Sequence, residues 1–139
     1  MTSPDLRAAR LAAAVAFGTQ GLLVISLTTR LPDFTDRCDI GELMLSGLLL
    51  MIVLLAGAGS VVAEALSKRK DSASMLRLGL LLVAVGVLGA ALAPAEVVFV
   101  GSLAVYGLGL GVVDATTNMQ AVALEHLYGR PILPSLHGA

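Results

Sequence analysis

Four long apolar runs separated by short polar breaks organise this chain. The first extends from Leu11 to Leu31, interrupted only by Thr19, Gln20, Ser26, Thr28, Thr29 and Arg30. The second covers Leu43 to Ala63, the third Met75 to Leu92 with Arg77 near its start, and the fourth Val97 to about Ala123. Between them lie the charged segment from Pro32 to Glu42, the basic segment from Glu64 to Ser74, and the break Ala93-Pro94-Ala95-Glu96; a polar tail runs from Glu125 to Ala139. Each run is about as long as the roughly 20 apolar residues that carry a helix across a bilayer, and far too long for a strand. In lipid every backbone amide must be satisfied within its own segment or within a closed barrel. A barrel would need strict apolar/polar alternation, which is absent. The pattern therefore predicts an all-α integral membrane protein with four transmembrane helices, at about 11–31, 43–63, 75–92 and 97–123, and a tail over 125–139. Pro94 supplies the break between the last two, because proline disfavours both its own and its neighbour's helical continuation. The first run follows a basic start, as a signal peptide would. It is long, lacks a small-x-small cleavage site and precedes three further spans, so it reads as a span.

Composition agrees and narrows the function classes. The chain is 57% hydrophobic and 14% charged, with a mean hydropathy of +0.90, against roughly 45–50% and 25% in soluble domains. A soluble domain of this size could not hide so much aliphatic surface, so an ordinary soluble enzyme, a disordered region and a disulfide scaffold are excluded. Nine Lys and Arg against ten Asp and Glu give no sign of a nucleic-acid partner. The single cysteine, Cys38, can form no internal disulfide and reads as a lone thiol in a polar loop. No nucleophile triad, phosphate loop, zinc pattern or paired-carboxylate arrangement is present, and His126 and His137 lack metal-ligand spacing. No catalytic residue, metal or cofactor is expected. Charge also sets orientation. Arg7, Arg10, Lys68, Arg69, Lys70, Arg77 and Arg130 fall on one side, against Arg30 and Arg37 on the other, offset by four acids. The positive-inside rule makes the first side cytoplasmic, so both ends face the cytoplasm of a multi-pass protein of the inner or plasma membrane.

Polar residues inside the spans are the candidates for function. Asp114 and Asn118 lie four residues apart, on one helix face. An acid at mid-bilayer costs roughly 2.5–3.5 kcal/mol on insertion scales, so such residues face a cavity or a partner. They either line a polar path for a solute or proton, or bond neighbouring helices, with Asp114 solvated at the interface as a further option. Gln20, near the middle of the first helix, either faces the same interior or makes an interhelical hydrogen bond worth about 0.6 kcal/mol. Glu64 ends the second helix beside the basic loop, as an ion-pair partner or interface anchor. The glycines of helices two to four, including the Gly107/Gly111 GxxxG pair, read as surfaces for close helix packing within the bundle more than as a homodimer face.

The stretch GVVDATTNMQAVALEHLYGRPILPSLHG, from Gly111 to Gly138, resembles the fourth helix and following loop of a bacterial, YbjJ-like branch of the major facilitator superfamily. The matching positions are Asp114, Asn118, Glu125, Gly129, Arg130, Pro131, Ile132, His137 and Gly138. Thr28 to Phe34, TTRLPDF, resembles the end of that branch's first helix. The resemblance implies a secondary transporter that moves a small solute, alone or with a coupling proton, by alternating access. Asp114, Asn118 and Gln20 are then expected along the pathway, and Glu64, Arg69, Glu125, Arg130 and His137 in the cytoplasmic loop and gate. The sequence departs from the family between helices two and three. There GSVVAEALSKRKDSAS keeps Gly59 but places Lys68 where the family's acid stands, Asp71 at its second glycine, and Ala73 and Ser74 at basic positions; Glu64 is an acid one turn too early. Length is a second departure. Four helices make one three-helix inverted repeat and the start of the next, so the chain reads as an N-terminal portion whose partners are the remaining transporter helices, the bilayer and the solute. The alternative is a stand-alone four-helix membrane protein with a binding or scaffolding role.

Overall fold

The computed structural model describes residues 3–37, 39–67 and 71–128. They form four helices, α1 (Ser3–Arg37), α2 (Glu42–Ser67), α3 (Ser72–Leu92) and α4 (Glu96–Tyr128). Among the described residues three helices are long and apolar enough to cross a membrane: Glu42–Ser67, Ser72–Leu92 and Glu96–Ala123. At about 1.5 Å per residue, the 21 residues of α3 just match a hydrocarbon core about 30 Å thick.

Several helix ends lie beyond the expected spans: α1 begins at Ser3, α2 runs to Ser67 and α3 starts at Ser72. α1 does not stop at Leu31 but continues through Pro32 to Arg37. Proline removes one donor, the one its Thr28 carbonyl would have met. Just before it, the Thr28 hydroxyl donates to the carbonyls of Val24 and Ile25 (3.0 and 3.1 Å) and the Thr29 hydroxyl to that of Ile25 (2.9 Å). These are back-bonds onto carbonyls of the turn before the proline, of the kind that Ser and Thr make within helices and that often bend them. α4 likewise runs on to Tyr128, taking in the first residues of the expected tail. The break at Pro94 is where it was expected. Ala93 N–H closes the end of α3 on the Ala90 carbonyl, and Val98 and Phe99 N–H open α4 on the Ala95 carbonyl. The α1–α2 turn places Asp39 at φ 52°, a left-handed conformation that short polar side chains tolerate, and tucks Ile40 into the core.

α4 is the axis of the fold. Of its most apolar window 44% is buried, against 17% for α2. α2 and α3 pack along two flanks of α4 and scarcely meet, while α1 touches α4 and, more lightly, α3. The α3–α4 pair is antiparallel in close register. The Gly79 Cα faces Val113, Gly109 faces Val83, Gly86 faces Tyr106 and Gly89 faces Ser102. The α2–α4 pair is parallel, with Gly107 against Ile52 and Gly111 against Ala56. Both GxxxG glycines thus serve packing inside the chain. Large side chains face outward instead: Leu78, Leu81, Val85, Leu88 and Leu92 make an exposed stripe on α3, while Met75, Gly79, Val83, Gly86 and Ala90 are buried. Membrane helices associate through small residues that allow backbones to approach, since lipid tails are as apolar as leucine.

Candidate functional site

The α2–α4 crossing creates the site. Gly107 and Gly111 on α4 and Gly59 on α2 bring the two backbones together; a Cβ on Gly111 would lie 2.6 Å from the Ala56 carbonyl carbon. At the same level the Ser60 hydroxyl donates to the Gly111 carbonyl oxygen at 3.1 Å. This bond fixes the rotation of α2 about α4. One turn further on, the next residues of the same two faces diverge around an open cleft of about 390 Å³, lined by Ser60, Glu64, Asp114, Ala115, Asn118, Met119 and Val122. The spacing explains the lining. Ser60 and Glu64 are four apart on α2, as are Asp114 and Asn118, or Ala115 and Met119, on α4, so each helix contributes one face.

Glu64 and Asp114 are exposed and Asn118 is half-buried. Asn118 Nδ2 donates back to the Asp114 carbonyl oxygen at 2.9 Å. Behind the cleft the helix is locked. Thr116 and Thr117 are fully buried, and their hydroxyls donate to the Val112 and Val113 carbonyls at 2.6 and 2.7 Å, so neither carries an unmet polar group. Ala63, Met75, Val112 and Ala115 form a small apolar cluster with Met119 packed against it. On the opposite flank Gln120 Nε2 donates to Ser72 Oγ of α3 at 3.1 Å.

Three of the sequence-selected residues therefore converge: Asp114, Asn118 and Glu64. Glu64 was expected at the gate, yet it shares a cleft with the pathway pair. Gln20 does not line the cleft; its Oε1 is buried without a hydrogen-bond partner. Arg69, Arg130 and His137 lie outside the described residues, as do Cys38 and the Glu125 side chain. Sequence reasoning missed Ser60. Its signal was its place one turn before Glu64 on the glycine-bearing face of α2, but a serine in a membrane helix carries little weight until its partner is known.

A family model described as Major Facilitator Superfamily matches residues 2–131. No curated protein and no solved structure matches the chain.

Proposed function

The chain belongs to the major facilitator superfamily, and from that premise we propose that it takes part in moving a small solute across a cell membrane, with the α2–α4 cleft as part of the polar path. The observation that carries this reading is the convergence of Glu64, Asp114 and Asn118 on one cleft. Polar groups in a membrane helix are costly and are retained where they meet a cavity or a partner. Here they meet a cavity.

The proposal extends in three directions. Alternating access requires two bundles that rock against one another, so these four helices act together with further helices, with α1 as the fourth span. The basic residues around the α2–α3 connection put both ends of the chain in the cytoplasm, and the cleft then opens near the cytoplasmic face. The run from Gly111 to Gly138 supports placement in the YbjJ-like branch, with Arg69, Glu125, Arg130 and His137 near the cytoplasmic gate and Gln20 as a second pathway position on α1.

The test is uptake in cells expressing the protein, screened with a panel of labelled small solutes. Asp114→Asn and Asn118→Ala are each expected to lower uptake at least tenfold at equal membrane abundance. Leu81→Ala, on the outer face of α3, is expected to leave it unchanged. Unaltered uptake, with unaltered pH dependence, in both cleft variants would refute the pathway role.

A further inference from the structure

We infer that the outward face of α3 holds a phospholipid of net negative charge, its phosphate on Arg77 and its acyl chains along the leucines that follow. The first observation is where Arg77 stands. It lies inside a candidate membrane span, Ser72–Leu92, and is exposed. At about 1.5 Å per residue it sits roughly 7.5 Å along the axis from Ser72. A cation at that depth is costly unless it reaches the interface or an opposite charge. No acid on its own helix can serve. The positions three and four residues away, which share its face, are Ala73, Ser74, Leu80 and Leu81. α4 passes the same level between Val113, which meets Gly79, and Gln120, which bonds to Ser72. The one acid in that stretch, Asp114, lines the cleft with α2 instead.

The second observation is the surface that Arg77 heads. Leu78, Leu81, Val85, Leu88 and Leu92 are exposed at alternating spacings of three and four, which makes one continuous stripe along α3. Helix partners in a membrane meet through small residues, and α3 keeps Gly79, Gly86 and Ala90 on its buried face. The large aliphatic side chains that face outward suit hydrocarbon chains. Side chains in a helix lean toward its N-terminus, so Arg77 leans back toward the near membrane surface, and the exposed Ser74 hydroxyl stands one turn closer to it. Guanidinium binds phosphate through a planar fork of N–H donors. In phosphatidylcholine the headgroup amine already neutralises the phosphate. A glycerol headgroup leaves that charge for Arg77, and the pair is neutral where hydrocarbon begins. The occupant is therefore an anionic phospholipid of the phosphatidylglycerol class.

The test titrates the full chain, purified in mild detergent, with dioleoyl phosphatidylglycerol or dioleoyl phosphatidylcholine, and counts bound lipid by native mass spectrometry. The two lipids share their acyl chains. Phosphatidylglycerol is expected to bind about fivefold more tightly. Arg77→Gln should abolish that preference, and Arg77→Lys should keep part of it, since an ammonium retains the charge without the fork. Lys68→Gln removes an equal charge from the polar segment before α3 and should change the preference less than about twofold, which separates a site at Arg77 from general attraction. Glycerol 3-phosphate, a headgroup without chains, should not displace the lipid. Equal binding of the two lipids, a preference that survives Arg77→Gln, an equal loss in Lys68→Gln, or displacement by glycerol 3-phosphate overturns the assignment. A folded chain that retains neither lipid also overturns it, and would mean that further protein covers this face.

Discussion

Adding a single methyl group at Gly111 is expected to open the α2–α4 seam. A Cβ there would meet the Ala56 carbonyl carbon at 2.6 Å and the Ala56 Cα at 2.8 Å, well inside the roughly 3.5–4.0 Å optimum for carbon pairs. The obstacle is backbone, so no side chain can rotate out of the way, and α2 must retreat by roughly an ångström. A gap of 0.5–1 Å forfeits about a quarter to a half of the dispersion energy of the atoms that face it, and overpacking of this kind costs about 1–3 kcal/mol. The Ser60–Gly111 bond stretches with the same movement. Against this, replacing a mid-helix glycine by alanine returns about 0.5–1 kcal/mol. Gly111→Ala should therefore lose about 2 kcal/mol. Gly57→Ala, where nothing lies within 4 Å of the added carbon, should show only the gain. Reversible unfolding by SDS titration in mixed micelles, followed by helicity, measures both. If Gly111→Ala proves no less stable than Gly57→Ala, the close α2–α4 approach is refuted.

Three further outcomes follow from the same packing. Ser60→Ala should cost about 0.6 kcal/mol in the same titration, the usual worth of an interhelical bond in a membrane, and Ser60→Thr, which keeps the hydroxyl, should recover part of it; equal loss in both would rule out the Gly111 bond as the cause. Gln20→Leu should stabilise the protein or leave it unchanged, because the buried Oε1 has no partner and an apolar replacement removes its desolvation cost of about 1–3 kcal/mol; a drop in uptake alongside unchanged or raised stability would mark Gln20 as a pathway residue, and destabilisation would show that the amide has a partner. Phe99→Ala should be the most damaging of these changes, about 3–5 kcal/mol, since Phe99 is fully buried beside Leu103 and Tyr106 in the main core; a loss under 1 kcal/mol by SDS titration would contradict that placement.

Much of the architecture could be read from apolar run lengths, because a bilayer demands helices of a set length and leaves few alternatives. The Pro94 break and the pairing of Asp114 with Asn118 are local, one fixed by ring chemistry and the other by the helical repeat. The extent of α1 was not legible. Proline rules describe the donor lost at Pro32, and the local sequence does not say whether the helix continues beyond it, as it does to Arg37. Nor was the company Glu64 keeps. Which residue of α2 meets which residue of α4 depends on their crossing and rotation, set by Gly59, Gly107, Gly111 and the Ser60 bond together, and periodicity within either helix is silent about it. Gln20 illustrates the converse: its polarity drew attention, but it is not among the residues that line the cleft.

The central position of α4 bears on how the protein is made. α2 and α3 scarcely touch each other, so when they enter the membrane they have little to hold them together. Their shared partner is the next helix in the chain, 33 residues long, which at roughly 5–20 residues per second takes a few seconds to synthesise. During that interval α2 and α3 wait in the bilayer with their glycine faces against lipid. Assembly is thus timed by the ribosome: the bundle closes when α4 arrives and gives both flanks a common surface, and any variant that delays or misorients that one helix strands the others.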